Sequence, residues 1–498
     1  MFGWLRRKSG SKPVSREVKL GRRPSYVEQV PQTTTQIRAE YDAAQTTTDN
    51  SRHWANADSL SADAANSRSV REALRNRARY ECQENNSYGK GIVLTLANDT
   101  IGTGPRLQML TSNRSANQRI ERAFAQWSRK IRLAQKLRTM RLAKAVDGES
   151  FAQFFNNSRL DGVQLDLALI ECDQIATPNY TGFETDNQID GIRFDSYGNP
   201  TVYHRLIDHP GDVFRRTTTE KVDVPASEMI HMFRMDRPGQ HRGIPEVTTA
   251  LPLFAQLRRF TLATLFAAET AANLSGVMHT EGPAIAEPDD VDAMDAIELE
   301  RNAMLTLPRG WNIKQMRAEH PATTHEMFVH TILNEIARCL NVPFHIAAGN
   351  ASGYNFASSR MDLQTYGVSI DVERSEWEVC CLDRILSAWF DEAILLPGLI
   401  PEGLGPFAEL PHRWHWDGRP HVDPQKEANA QKTRLANGTT TFALEYAAQG
   451  LDYEDQMQSQ ADALGMSLDE YRAVLVRSIF GTEPQQEAMD EQEQPEAA

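Results

Sequence analysis

The sequence predicts an α+β protein that is mostly helical, and three observations support this prediction. Apolar residues recur every three or four positions along much of the 498-residue chain, which is the spacing of amphipathic helices. Between residues 150 and 233 the period shortens to two, which is typical of β-strands. Helical periodicity then returns and is clearest at residues 324–396, where a helix, a small polar loop and a longer helix follow one another.

Composition narrows the class of protein. With 40% hydrophobic and 24% charged residues, the chain resembles an ordinary globular protein of two to four domains. No apolar run reaches the ~18 residues that a membrane span needs, and the basic start lacks the apolar core of a secretory signal. We therefore expect no membrane partner. Five cysteines without paired spacing indicate a reducing compartment.

The net charge of −14 argues against tight binding of nucleic acid over a broad face. Such binding draws its affinity from Lys and Arg side chains that replace condensed counterions. An acidic protein can still surround DNA if its task is to let the DNA slide. Charge alone leaves both possibilities open.

The N-terminal part begins with residues 1 to about 60, which are rich in Thr, Ser, Gln and Arg and show no periodicity, so we expect an extended arm. A helix is predicted from residue 61 to about 96. One of its faces carries four arginines, Arg68, Arg71, Arg75 and Arg79. These four residues either contact phosphate or, as we favour, form a solvated face or bind an acidic neighbouring subunit.

A compact α+β domain is predicted between about residues 100 and 235. Residues 114–145 are helical and basic, and strands follow at 150–154 and 163–170. A hairpin over 192–206 is expected to turn at Gly198–Asn199, and residues 222–233 to add another.

The second half of the chain returns to helices. An Ala-rich helix is predicted from Pro245 to Asn273, followed by an irregular insertion with an acidic stretch at 287–300 and strands at 304–316. Pro343 should end the next helix. Ser358 or Ser359 should cap the long helix. That helix would run roughly 36 residues, about 55 Å, to Pro397, so it is either kinked, for example at Gly367, or serves an assembly larger than one subunit.

The C-terminal part is predicted to hold a helix over 424–436, short helices to residue 480 and a disordered acidic tail at 481–498. No catalytic residue, metal site or cofactor is predicted anywhere. The glycines at 102 and 104 form a turn, and no Walker A loop, metalloprotease motif or zinc pattern is present. His325 and His330 are expected to be scattered packing or surface residues.

Three stretches carry a resemblance to a known family. They are RCLNVPFH at 338–345 followed by GNASGYNFASSR at 349–360, FRMDRPGQHRGIP at 233–245, and residues 71–104 with RNRAR, NNSY and IGTG. The sequence resembles the portal proteins of tailed bacteriophages, lambda-type family. The similarity runs in the family's order from about residue 50 to 465.

The resemblance implies a structural protein rather than an enzyme. Portals form rings, dodecameric in the virion, at one capsid vertex, and double-stranded DNA passes through the channel without sequence specificity. The implied partners are other copies of the chain, the terminase large subunit, the major capsid and scaffolding proteins, and a head-completion or adaptor protein. The protein would be made in the bacterial host cytoplasm and reside in the virion.

The family's plan also implies domain limits. After the arm at 1–60 come an α+β wing at 61–243, a first stem helix at 244–275, a clip at 276–323, a second stem helix at 324–346 and a tunnel loop at 347–358. A long wing or crown helix at 359–398 and a crown region at 399–480 precede the tail.

Two groups of residues are the site candidates. The first is the channel-facing tunnel loop, consisting of Gly349, Asn350, Ala351, Ser352, Gly353, Tyr354 and Asn355. It has no Lys or Arg before Arg360, so we expect it to touch DNA without gripping it. Tyr354 either stacks on a neighbouring loop or the duplex, or is buried against the long helix. The second group, Arg309, Lys314 and Arg317, is expected to dock onto the acidic half of the next clip or onto terminase.

Two other functions remain as alternatives. A metal-dependent nucleic-acid-processing enzyme would use the acids at 287–300, although a solvated acidic loop is the better reading of their irregular spacing. A different ring of the head–tail connector, such as an adaptor, is the other alternative.

Overall fold

The computed structural model describes residues 47, 48, 50–178, 187–214, 220–272, 276–280, 311–315, 322–401, 407, 410–419 and 423–480. The chain divides into two compact units, Met1–Ser59 and Leu60–Ala498. The described part of the first unit consists of hydrogen-bonded turns, in one of which the Ser51 amide donates to the Thr47 carbonyl at 3.0 Å. All helices and strands below belong to the second unit.

The described chain is α+β and mostly helical, as predicted. The helices are α1 Ala62–Ala65, α2 Arg68–Arg79, α3 Ser87–Ile101, α4 Arg114–Lys130, α5 Leu133–Asp147, α6 Leu251–Ala272, α7 Ala322–Cys339, α8 Phe344–Ala347, α9 Phe356–Trp377, α10 Asp383–Ala393, α11 Pro424–Ala436, α12 Phe442–Ala448, α13 Tyr453–Leu464 and α14 Leu468–Phe480. Two π-helical turns, Tyr80–Asn85 and Glu378–Leu382, continue α2 and α9. None of the described helices is long and apolar enough to cross a membrane.

The strands form four small antiparallel sheets. They are β1 Arg106–Met109, β2 Glu149–Asn156, β3 Leu165–Ile170, β4 Gln188–Ile189, β5 Ile192–Phe194, β6 Pro200–Leu206, β7 Lys221–Pro225, β8 Met229–Phe233, β9 Gly276–Thr280, β10 Trp311–Gln315 and β11 His412–His415. The sheet orders are β3-β2-β8, β4-β5-β6-β7, β1-β11 and β9-β10.

The predicted hairpin over 192–206 is confirmed. Its strands β5 and β6 pair with Ile192 opposite Tyr203, and Gly198 has a φ of 88° in the turn. This left-handed conformation favours glycine because it has no Cβ. The second predicted hairpin is wrong, because β7 pairs with β6 whereas β8 pairs with β2 in the other sheet. A 3₁₀ turn at Ala226–Glu228 carries the chain between the sheets.

One hydrophobic core lies among α2, α3, α5, α6, α7 and α9. The apolar stripe predicted for α7 contributes Ile332, Ile336 and Leu340 to it, whereas Phe328 at the start of the stripe is 45% exposed. Phe328 packs on Phe260 of α6, with ring centroids 4.4 Å apart. Pro343 caps the short helix α8 after α7 has ended at Cys339.

A second core joins distant parts of the chain. It combines α4, α5 and the β3-β2-β8 sheet with apolar residues between Trp377 and Ala393 and with Ile400, Leu410, Trp414 and Trp416. Trp389 of α10 is fully buried, and its ring lies 5.4 Å from that of Phe124 on α4. The α+β domain expected at 100–235 is therefore completed by residues that follow α9.

The long helix ends at Ala393 instead of Pro397 and contains a π-helical turn. The π-helical turn at Glu378–Leu382 separates α9 from α10, and α10 ends at Ala393. A kink at Gly367 stays a prediction: α9 runs through that residue, whose carbonyl accepts from Arg419 at 2.9 Å. The start of the helix is also corrected. Asn355, rather than Ser358 or Ser359, is the N-cap, and its side chain accepts from the Ser358 amide at 2.8 Å.

The C-terminal helices confirm the predicted helix over 424–436, which is α11. Helices α13 and α14 are joined by a short turn in which Gly465 has a φ of 66°. The acidic stretch at 287–300 and the tail at 481–498 lie entirely outside the described residues. Most of the arm at 1–60 lies outside them as well.

Candidate functional site

The tunnel-loop candidate is a short, exposed connection between α8 and α9. Gly349 and Gly353 have positive φ values of 62° and 87°, so each reverses the chain in a conformation that suits glycine. The side chain of Asn350 accepts from the Ser352 amide at 2.9 Å, which holds the tip as a turn. All residues from 349 to 353 are exposed. Their neutral side chains can hydrogen-bond but cannot hold phosphate by charge.

Tyr354 and Asn355 are tied to the body of the protein rather than to the tip. The Tyr354 ring is half-buried and lies 4.9 Å from the His345 ring of α8. Burial raises the pKa of its phenol, and the carboxylate of Asp362 adds to the shift. Because Asn355 caps α9, its side-chain oxygen is already used within the chain.

The clip candidates are described only in part. Lys314 lies in β10, opposite Val277 of β9. Arg309 and Arg317 lie outside the described residues. The structure therefore confirms a strand within the stretch 304–316, where one was expected. The predicted contact of the three basic residues with the next clip or with terminase stays a prediction.

The four arginines of α2 are neither a solvated face nor a phosphate site. Three of them point into the protein and pair with acids from distant segments of the same chain. Arg71 pairs with Asp190, Arg75 with Asp173 at 2.5 Å, and Arg79 with Asp147 at 2.7 Å. The fourth, Arg68, pairs with Glu72 at 2.8 Å on the same helix. The phosphate and solvated-face predictions are thus wrong, and the acidic partners belong to the same chain instead of to a neighbouring subunit.

Glu149 lies at the centre of this charged cluster. It begins β2, is fully buried, and accepts hydrogen bonds from Arg242, from Arg75 at 3.3 Å and from His231 at 3.1 Å. Burial alone would raise the pKa of its carboxyl group. The Arg242 guanidinium and the His231 hydrogen bond outweigh that effect and hold the pKa well below the ordinary value.

A second buried network joins α5 to α9. Arg141 and Lys144 of α5 reach Glu373 of α9, at 2.8 and 2.9 Å. Arg141 also pairs with Glu246, just before α6, at 2.9 Å. Sequence reasoning missed both networks. The sequence does contain one signal for them, which is the spacing of basic residues three or four apart on α2 and α5. It does not reveal their partners, because most of the paired acids are more than seventy residues away.

A cleft of about 650 Å³ opens between α4, α5 and the start of α13. Its charged lining is mixed: Arg106, Arg122, Arg129, Arg132, Arg138, Glu121, Asp452 and Asp455. Burial, with added repulsion from Asp452 and Asp455, raises the pKa of Glu121 to about 7, although a hydrogen bond from the Met109 amide opposes the shift. No nucleophile paired with a base lies among these residues.

One group of side chains in the described part of the chain has metal-ligand geometry. Ligand atoms of Glu171, Asp173 and His209 lie within 4.8 Å of one another. Both oxygens of Asp173 are already engaged, by Arg75 at 2.5 Å and Arg79 at 2.8 Å. A cation there would have to displace or face two guanidinium groups, so this cluster is better suited to its ion pairs than to a metal.

The chain is similar to known phage proteins. Residues 48–374 match the family described as phage portal protein, lambda family. A relative described as a probable portal protein of Halomonas phage phiHAP-1 is 25% identical over an alignment of 354 positions, and the match covers 65% of this chain and 65% of the relative. The match thus spans less than two thirds of that relative's length.

Two similar solved structures share little sequence with the chain. In the virion of the native gene transfer agent particle, a chain is 16% identical and has a TM-score of 0.43, with 76% of this chain and 93% of that chain covered. An HK97 family phage portal protein from Corynebacterium diphtheriae is 14% identical and has a TM-score of 0.29, with 73% and 97% covered. TM-scores this low do not establish a shared fold. The match to the family, in contrast, covers well over half of the chain. The protein is a member of the lambda family of phage portal proteins.

Proposed function

We propose that the protein forms the portal ring at one vertex of a phage capsid, through whose channel DNA is packaged and later ejected. The observation that carries this proposal is the match of residues 48–374 to the portal family. By resemblance to that family, the ring is a dodecamer, resides in the virion and is assembled after synthesis in the bacterial host cytoplasm.

Exposed apolar helix faces support assembly with other copies. Met361, Val368 and Val372 of α9 and Val379 of the π-helical turn that follows are 58–69% exposed. We call these four residues the α9 stripe; they lie on one face because their spacing is seven, four and seven residues. Leu262 and Leu265 of α6 are likewise about half exposed. A contiguous apolar stripe of this kind usually marks an interaction surface.

The tunnel loop suits a channel wall along which DNA slides. Its exposed tip at 349–353 carries hydrogen-bonding groups but no basic side chain. Each phosphate neutralised by a protein adds affinity, and hence resistance to movement of the duplex. We therefore assign the loop to the channel and retain Arg309, Lys314 and Arg317 as the residues that contact the next clip or the terminase large subunit.

The remaining partners follow from the same proposal. The ring would contact the major capsid and scaffolding proteins during head assembly and a head-completion or adaptor protein when the tail joins. No described residues combine into catalytic machinery, and we propose a structural role without a cofactor. The alternative enzyme would have used the acids at 287–300, which the family match does not favour.

Negative-stain electron microscopy and native mass spectrometry of the purified protein test the proposal. We expect hollow rings that persist over a range of salt and protein concentrations. A monomer under all conditions would contradict the proposal. Assays for magnesium-dependent nuclease and ATPase activity separate it from the alternative, since a portal should show neither activity.

A further inference from the structure

A groove beside α6 offers a surface that matches the α9 stripe. We call it the α6 groove; it has a volume of about 450 Å³ and is lined by Tyr80, Glu81, Ala255, Arg258, Arg259, Leu262, Ala263 and Phe266. The two alanines leave room for another helix to approach closely. Tyr80 forms one wall, where its hydroxyl accepts from Arg258 at 3.0 Å. The side chain of Glu81 is largely buried and accepts from Asn86.

We infer that the α9 stripe of one copy packs into the α6 groove of the next copy. The inference rests on the proposed function, because it requires that the chain assembles as a ring. It goes further by naming two different surfaces and their pairing.

The spacing of the exposed residues matches between the two helices. In the groove, Ala255 and Leu262 are seven residues apart on one face of α6. In the stripe, Val372 of α9 and Val379 of the following π-helical turn are also seven residues apart. If the two surfaces run antiparallel, Val379 meets Ala255 and Val372 meets Leu262. Each pair then combines a larger side chain with a smaller one, and the larger side chain comes from the stripe in the first pair and from the groove in the second. Seven residues correspond to about 10 Å along either helix.

The charges in this register are complementary. Arg259 lies four residues after Ala255 and is exposed, with no acid of the described chain in ion-pair range. The position facing it on α9 is next to Glu376, whose side chain is 51% exposed. Among the described residues, Lys144 lies within ion-pair range of Glu376, at 3.7 Å. If Arg259 approaches Glu376 of the next copy, each of the two side chains gains a partner of opposite charge.

The stripe and the groove are two unlike surfaces of one chain. Residues Leu251, Phe254 and Leu257 of α6 and residues Tyr366 and Ile370 of α9 face the same hydrophobic core. The stripe and the groove therefore point away from that core, on different helices. When the stripe of each copy binds the groove of a further copy, the copies join head to tail, and such contacts close into a ring when the rotation allows it. Native mass spectrometry of the wild type distinguishes this ring from a twofold dimer, in which two copies would pair stripe and groove reciprocally.

Two double variants test the inference. Val372→Asp with Val379→Asp blocks the stripe and leaves the groove intact, whereas Ala255→Asp with Leu262→Asp blocks the groove and leaves the stripe intact. All four residues are exposed, so each variant should fold, which circular dichroism and thermal melting would verify. Each variant alone should be monomeric in native mass spectrometry. A mixture of the two should form a one-to-one dimer and stop there, because only one pair of intact surfaces remains.

A charge exchange tests the register. Arg259→Glu or Glu376→Arg alone should weaken the ring, and the two substitutions in one chain should restore it. The matched control is Leu444→Asp with Leu464→Asp, at sites on α12 and α13 that are 51% and 57% exposed, and it should assemble normally.

Several results would overturn the inference. Normal rings from both double variants would reject these surfaces while leaving the proposed function intact. A dimer formed by either double variant alone would show a like-with-like contact instead, and loss of the ring in the Leu444 and Leu464 control would make the effect nonspecific. A wild-type protein that never assembles would reject the proposed function itself.

Discussion

Arg242 holds Glu149 in a buried ion pair that joins two distant parts of the fold. Its Nη2 and Nε atoms donate to the Glu149 carboxylate at 2.6 and 3.0 Å, and the side chains are 1% and 0% exposed. Arg242 also donates to the carbonyl oxygens of Ile175 and Asp190. The segment just before α6 is thereby connected to the start of β2, to Ile175 and to the turn between β4 and β5.

The first prediction concerns this pair. Glu149→Gln should lower the free energy of unfolding by about 3–5 kcal/mol, because the buried Arg242 loses its nearest countercharge and keeps only the weaker pair with Asp190 at 3.6 Å. Arg242→Gln should cost a similar amount, and the double variant less than the sum of the two. Urea unfolding measures all three. Arg234→Gln, which breaks a surface pair with Asp236 at 2.6 Å, is the control and should cost less than about 1 kcal/mol. Additive single effects would show that the two residues are not coupled.

The second prediction is a pH dependence. The folded pKa of Glu121 is about 7, above its ordinary value of 4.5. Between these values the folded protein keeps a proton that the unfolded chain has released, so stability falls as the pH rises through this window. Glu121→Gln removes the ionisation and still accepts from the Met109 amide. Its melting temperature should exceed that of the wild type at about pH 8 and approach it at about pH 5. A constant difference across this range would contradict the prediction.

The third prediction separates capping from channel contact in the tunnel loop. Asn355→Ala should lower stability by about 1 kcal/mol, because the Ser358 amide loses its acceptor. Asn355→Asp should retain most of that stability. Hydrogen exchange at the first turn of α9 would report the change directly. Equal protection in the Ala and Asp variants would mean that the cap is not used.

The fourth prediction concerns the limits of the folded protein. A chain that ends after Arg374, where the family match ends, should be insoluble or largely unfolded. It would lack Trp377, Leu386, Trp389 and Phe390, all buried in the core with α4 and α5. Expression and circular dichroism would test this, with a chain ending after residue 480 as the control. A soluble, cooperatively melting protein ending at Arg374 would show that this core does not depend on α10.

The fifth prediction addresses the loop's proposed contact with DNA. Asn350→Lys with Ser352→Lys should leave rings intact but alter packaging or retention of DNA, because each lysine can neutralise a phosphate. Asn355 is left unchanged because it caps α9. The neutral control, Asn350→Gln with Ser352→Thr, should behave as the wild type. Unchanged packaging and retention in the lysine variant would place the loop away from the channel wall.

Local patterns in the sequence were sufficient for much of the secondary structure. The helix at 424–436, the hairpin that turns at Gly198 and the buried residues Ile332 and Ile336 of α7 are all as predicted. Each depends on neighbours within a few residues, such as a proline at a helix start, a glycine with positive φ or an apolar side chain every fourth position. The order of motifs along the chain was likewise sufficient to recognise the family.

Only the tertiary structure decided which distant groups meet. Periodicity shows that α2 has an arginine face, but the acids that neutralise Arg71 and Arg75 lie seventy or more residues away. A buried charge is stable only beside its partner, and the sequence does not specify that partner. The same holds for Trp389, whose apolar character predicts burial but not its packing against Phe124. The site of the helix interruption at Glu378–Leu382 also escaped prediction, since no proline or glycine marks this turn.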